Sequence, residues 1–213
     1  MPPTTSRPRR YVMRTRADGV ARTRDHVLDA TIALAYEAPL RAITLDRVAE
    51  RSGVSVQTIL RHFGNRDGLA VAAHERATEL VLAERPADPD RRGPALEALI
   101  DHYELRGDGV LLLLGQEPWE PLARTITDAG KKLHREWVAR LFAPPLEAAA
   151  DPDALLDLLV IATDVYAWKL LRRDAGRTRE ETLQRMTALI DAIVRTAAPS
   201  VERTGTGAQE PRP

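Results

Sequence analysis

Apolar positions recur at helical spacing from about residue 21 to residue 197, and no segment sustains the apolar/polar alternation of a strand. The first stripe is Val27, Ala30, Thr31, Leu34, Ala35 and Ala38, stepping by i, i+3, i+4, i+7, i+8 and i+11. It predicts a helix over about 21–38 with one buried face. Pro39 ends it, because the residue before a proline is pushed out of the helical region. Two short helices follow Thr44, then a longer one over about 67–84. Five further helices are expected near 94–106, 108–115, 119–142, 153–174 and 178–197, with Pro118, Pro121, Pro144, Pro145 and Gly176 near their ends. Asp151-Pro152 supplies an N-cap and a first-turn proline, and Thr178 with Glu181 forms a capping box. The expected fold class is all-α, with about nine helices.

The punctuation divides the chain. Pro86–Pro94 (PADPDRRGP) is the clearest break, and the expected units are 20–76, which holds a helix-turn-helix, and 77–198, a second helical unit. Residues 1–19 read as a basic, disordered arm and 199–213 as a disordered, polar tail.

The densest information lies in residues 44–63. Thr44 caps a helix whose buried face is Leu45, Val48, Ala49 and Ser52; Ala49 is small, as a steep crossing of two helices requires. Gly53 falls where the chain must reverse within three residues, a turn that needs the left-handed backbone region. Val54 plugs the corner, Ser55 caps the next helix, and Ile59 and Phe63 form its inner side. Val56, Gln57, Thr58, Arg61 and His62 are left on the outer side, as in a helix that enters the major groove. Gln57 suits bidentate pairing with adenine, and Val56 suits a thymine methyl. Thr44, Thr58, His62 and Arg66 suit phosphates, which set register without reading sequence. The expected DNA-binding set is therefore Thr44, Ser55, Val56, Gln57, Thr58, Arg61, His62 and Arg66. An incidental amphipathic helix pair is the competing account of the same pattern.

Charge adds to this picture. The chain is neutral as a whole, but residues 1–76 hold 13 Arg against 8 Asp and Glu, a net of +5 that the remainder balances. A basic front suits a polyanion. Arg7, Arg9, Arg10, Arg14, Arg16, Arg22 and Arg24 concentrate it in the arm, where they could neutralise phosphates or enter the minor groove. Removing residues 1–16 should then weaken binding and flatten its salt dependence; a solvated leader, or a true start at Met13, is the alternative. Composition narrows the rest. Cysteine is absent, no apolar run approaches the roughly 18–20 residues of a membrane span, and no HExxH, phosphate-binding glycine loop or metal-spaced histidine cluster occurs. A cytoplasmic protein without catalytic residues, metal or cofactor is expected.

Thr44-Leu45, Val48-Ala49, Ser52-Gly53-Val54-Ser55, Thr58-Ile59, His62-Phe63 and Arg66-Asp67-Gly68-Leu69 stand in the order and spacing of one known domain. Residues 26–75 resemble the DNA-binding domain of the tetracycline-repressor-like (TetR) family of transcriptional regulators. Leu60 stands where that family usually has a phosphate-contacting tyrosine, Pro39 where it has a glycine, and Ala35 where it has an aromatic residue. The resemblance implies a repressor that binds a near-palindromic operator as a homodimer and is released by a small-molecule effector. It implies an effector pocket in the C-terminal part, where the candidates are Tyr103, Trp119, His134, Trp137 and Tyr166. It also implies a dimer built through the helices at about 153–174 and 178–197, whose apolar faces are wide; Ile190 and Val194 are the expected contact residues. The two recognition helices would then lie about 34–36 Å apart. An all-α enzyme, or a helical scaffold with an incidental helix-turn-helix, is the alternative.

Overall fold

The structure, a computed structural model, describes the backbone of residues 8–197 and the side chains from Gly19 onward. The expected tail at 199–213 and the first seven residues of the expected arm lie outside the described residues. The α-helices are α1 (Pro8–Glu37), α2 (Leu45–Ser52), α3 (Val56–Phe63), α4 (Arg66–Glu84), α5 (Arg92–Leu114), α6 (Pro121–Leu141), α7 (Ala143–Ala148), α8 (Pro152–Thr163), α9 (Val165–Lys169) and α10 (Arg179–Ala197). Among the described residues every regular element is helical, so the fold is all-α.

Three boundaries differ from those expected. Helix α1 begins at Pro8 rather than Ala21, so residues 8–19 are helix and not an irregular arm. Proline suits a first turn, and the Arg, Met and Ala residues that follow favour helix without any apolar period to announce it. Helix α5 is continuous where two helices over 94–106 and 108–115 were expected. Gly107 and Gly109 do not break it; they let neighbours approach. A Cβ on Gly107 would lie 2.6 Å from the Trp168 ring, and one on Gly109 would overlap Tyr36. Conversely, the single helix expected over 153–174 is interrupted. Asp164 leaves the helical region (φ −70°, ψ 154°), its carboxylate accepts the Tyr166 N–H at 2.8 Å to start α9, and a π turn over Leu170–Asp174 ends the run.

Two cores result. The first gathers Val27, Leu34, Val48, Ile59 and Leu69 from α1–α4, and Leu113 and Ala123 enter it from α5 and α6. The second gathers Leu99, Ile100, Trp137, Leu159, Trp168 and Ile190 from α5, α6 and α8–α10. A boundary at 76/77 falls inside α4, which therefore belongs to both halves. Gln116 ties them again. Buried after α5, it accepts the Leu40 N–H at 2.8 Å and donates to the Leu112 carbonyl at 2.9 Å. The expected caps of α8 and α10 are present: Asp151 accepts from the Ala154 N–H at 3.0 Å, and Thr178 and Glu181 bond reciprocally at 3.1 and 2.9 Å.

Candidate functional site

Helices α2 and α3 form the helix-turn-helix by local chemistry. Thr44 Oγ1 accepts the Arg47 N–H at 3.2 Å, and Ser55 Oγ accepts the Thr58 N–H at 3.3 Å. Between them Gly53 takes φ 68°, and the Ala49 carbonyl accepts from the Val54 N–H at 3.2 Å. Val48 and Ile59 are wholly buried, fixing one face of each helix inward. Gln57 and Arg61 are exposed on α3, with Val56, Thr58 and His62 half-buried beside them, and Thr44 and Ser55 exposed at the two caps. Arg24 of α1 lies 5.0 Å over the Phe63 ring, and His62 packs beside the same ring, so the C-terminal end of α3 is clamped.

One expected phosphate contact is otherwise engaged. Arg66 Nε donates to the Ile43 carbonyl at 3.1 Å and its Nη2 to the Leu40 carbonyl at 2.9 Å. Its guanidinium thus locks the start of α4 to the α1–α2 connection, where orphan carbonyls need donors. Leu60, in place of a hydroxyl-bearing ring, is 38% exposed and offers only apolar surface.

A second site lies behind the helix-turn-helix. A cavity of about 480 Å³ opens between α4, α5, α6 and the α8–α9 break. Of the five residues expected there, Tyr103, His134 and Tyr166 line it. Trp119 does not: it sits 64% exposed in the turn after α5. Trp137 does not line it either. It is buried in the core, stacked on His134 and covered by Arg85, whose guanidinium carbon is 4.8 Å from its ring. Helical spacing alone could not separate these aromatic side chains, since wall, core and surface positions share one period.

The break at Asp164 shapes the polar end. Tyr103 Oη donates to the Thr163 carbonyl at 2.9 Å, and Thr163 Oγ1 donates to the Leu159 carbonyl at 2.7 Å. His134 Nε2 lies 3.1 Å from Thr163 Oγ1, while its Nδ1 lies 2.7 Å from Arg85 Nη2. Arginine can only donate, so Nδ1 accepts and the His134 proton resides on Nε2. Burial, and then the Arg85 charge, lowers the His134 pKa to about 3. Burial likewise lowers His102 to about 4, although its Nδ1 is 2.8 Å from Glu84 Oε2. Glu84 also pairs with Arg106, and that bond holds its carboxyl down at about 2. Burial raises the Tyr103 phenol and the Asp164 carboxyl and lowers Arg85. Arg85 and Glu84 were not anticipated, because a charged residue at the end of a helix reads as a solvated one unless its tertiary surroundings are known, and nothing in its spacing set His102 apart inside α5.

Comparison with known proteins bears on the helix-turn-helix and on the overall fold. Residues 27–73 match the family model of bacterial regulatory proteins, tetR family. A stretch of 71 residues is 38% identical to the HTH-type transcriptional repressor KstR of Rhodococcus jostii (strain RHA1), a match spanning a third of this chain and a third of that protein. The fold is shared with a TetR-family transcriptional regulator from Streptomyces coelicolor (TM-score 0.62, 19% identity, 84% of this chain and 97% of that one). It is shared equally with a transcriptional regulator from Rhodococcus sp. Rha1 (TM-score 0.61, 19% identity, 83% and 98%). No helix among the described residues is long and apolar enough to cross a membrane. Over residues 27–73 the chain is similar to bacterial regulatory proteins of the tetR family, and its helical fold is one that solved transcriptional regulators share.

Proposed function

We propose that this protein is a ligand-responsive DNA-binding transcriptional regulator acting in the cytoplasm without catalysis, a repressor that holds a near-palindromic operator as a homodimer. The carrying observation is the double engagement of α4. Its first turn follows α3 directly and is locked through Arg66 to the α1–α2 connection, and its last turns (Ala77, Thr78 and Val81) wall the cavity. A ligand that prefers one position of α4 therefore prefers one placement of α3, which is the linkage an effector needs.

On this reading residues 20–76 bind DNA and residues 77–198 bind the effector and the second subunit, with α4 shared between them. Gln57 and Arg61 reach base edges with Val56 beside them, while Thr44, Ser55, Thr58 and His62 position the backbone. Tyr103, His134 and Tyr166 belong to the effector site. Repression follows the name of the KstR relative, whose similarity covers the DNA-binding part. The dimer face is α8 with α10, where Leu158 (50%), Ile161 (66%) and Leu189 (48%) are large, apolar and exposed. Ile190 is wholly buried within its own subunit and is not a contact residue.

Binding selection from random duplex DNA tests the reading. A two-fold symmetric site should emerge, with half-sites about one helical turn apart. Enrichment without any shared sequence would overturn it.

A further inference from the structure

The cavity wall holds a cation that packing alone does not explain. Arg85, directly after α4, is 8% exposed and borders the cavity. Its Nη2 donates to His134 Nδ1, and its face rests on Trp137. Its buried Nε–H has no hydrogen-bond partner. The adjacent acid, Glu84, pairs with Arg106 and His102 instead. Buried charges in proteins are paired, because an unpaired one loses its hydration without return. His134 cannot act as the counter-charge. It is neutral, and its Nδ1 lone pair serves to orient the guanidinium.

The other charged groups around the cavity do not supply Arg85 with a partner. Lys131, Lys132 and Glu136 border it on α6, with Lys132 4.0 Å from Glu136, and Asp164 borders it at the break. Lys131 is drawn to Glu117 and Asp128, and Asp164 caps α9. The remaining wall is largely apolar, with Val81, Val110, Leu113, Leu114 and Ile126. A planar fork of donors beside an apolar chamber is the complement of a carboxylate attached to a hydrocarbon body.

We propose that the cavity takes an amphipathic organic acid, its carboxylate seated on the uncommitted hydrogens of Arg85 and its apolar body along Val81, Val110, Leu113 and Ile126. This rests on the effector-site reading above and names the chemistry of that effector. The position matters as well as the charge. Arg85 ends the helix whose other end holds the helix-turn-helix, so the carboxylate acts at the far end of that lever.

Matched pairs of probes test this on the full chain: dodecanoate against dodecanol, and 2-naphthylacetate against 2-naphthylethanol, titrated by calorimetry. At least one acid should bind tenfold or more tightly than its alcohol. Arg85→Met should remove that preference by weakening the acid, and Arg85→Lys should retain part of it. Equal binding of acid and alcohol to the native chain in both pairs overturns the anion assignment but leaves the cavity as a ligand site. Failure of all four probes to bind removes both. If Arg85→Met does not fold, which far-ultraviolet circular dichroism reports, the comparison of acid with alcohol on the native chain decides alone.

Discussion

Gln57 and Arg61 show how much a single exposed side chain on α3 is asked to do. Both stand on the outer face with their donors uncommitted among the described residues, on a helix whose other face is fixed by Ile59. Gln57→Ala should relax preference at one base pair of each half-site, costing about 1–3 kcal/mol of discrimination. Thr44→Val should weaken all sequences alike, and competition binding with single-base operator variants separates the two outcomes. Arg66→Ala should behave differently again. Its guanidinium serves two carbonyls of the α1–α2 connection, so the loss appears first in thermal stability. That distinction was not legible in the sequence. An arginine opening a helix beside a recognition helix has the same spacing whether it faces phosphate or its own backbone.

At the scale of elements, the legible parts are those decided within a few residues. Thr44, Gly53 and Ser55 each satisfy a neighbouring backbone group or enter a backbone region that few residues tolerate, so the helix-turn-helix follows from local chemistry. The unreadable parts are decided across elements. Gly107 falls between the two helices expected over 94–106 and 108–115 and is instead the point where one continuous α5 meets Trp168. Gly107→Ala should strain that contact by about 1–3 kcal/mol, lowering the urea midpoint without loss of helix content. The burial of two histidines between elements has a titratable consequence. His102 and His134 stay neutral when folded, with pKa values held at about 4 and about 3, below the ordinary histidine value. The unfolded chain takes up protons first as the pH falls. Stability is therefore full above about pH 6.5 and falls below it, by up to about 1.4 kcal/mol per pH unit for each histidine until the folded-state pKa is reached. Thermal melts between neutral pH and about pH 5 check this, and His102→Gln with His134→Gln should flatten the slope; an unchanged slope would assign the acid sensitivity elsewhere.

For the whole molecule, the deciding question is what covers the outside of α8 and α10. Leu158 and Ile161 lie one helical turn apart on α8, both at least half exposed, and Leu189 on α10 is nearly so. The inner faces of the same helices are spent on their own core through Leu155, Leu159, Met186 and Ile190. An apolar stripe left over after a complete core is filled calls for a second surface. A symmetric pairing of the stripe with its own copy would supply it. Leu158→Glu with Ile161→Glu should give a folded monomer by light scattering, since neither side chain supports the subunit's own core. The same variant should lose operator affinity by far more than any single α3 substitution, because half of the bound contacts leave with the partner subunit. It should nevertheless bind a lone half-site as weakly as the native protein does. A variant that remains dimeric would move the interface off α8, and a monomer with full operator affinity would remove the dimer from the mechanism.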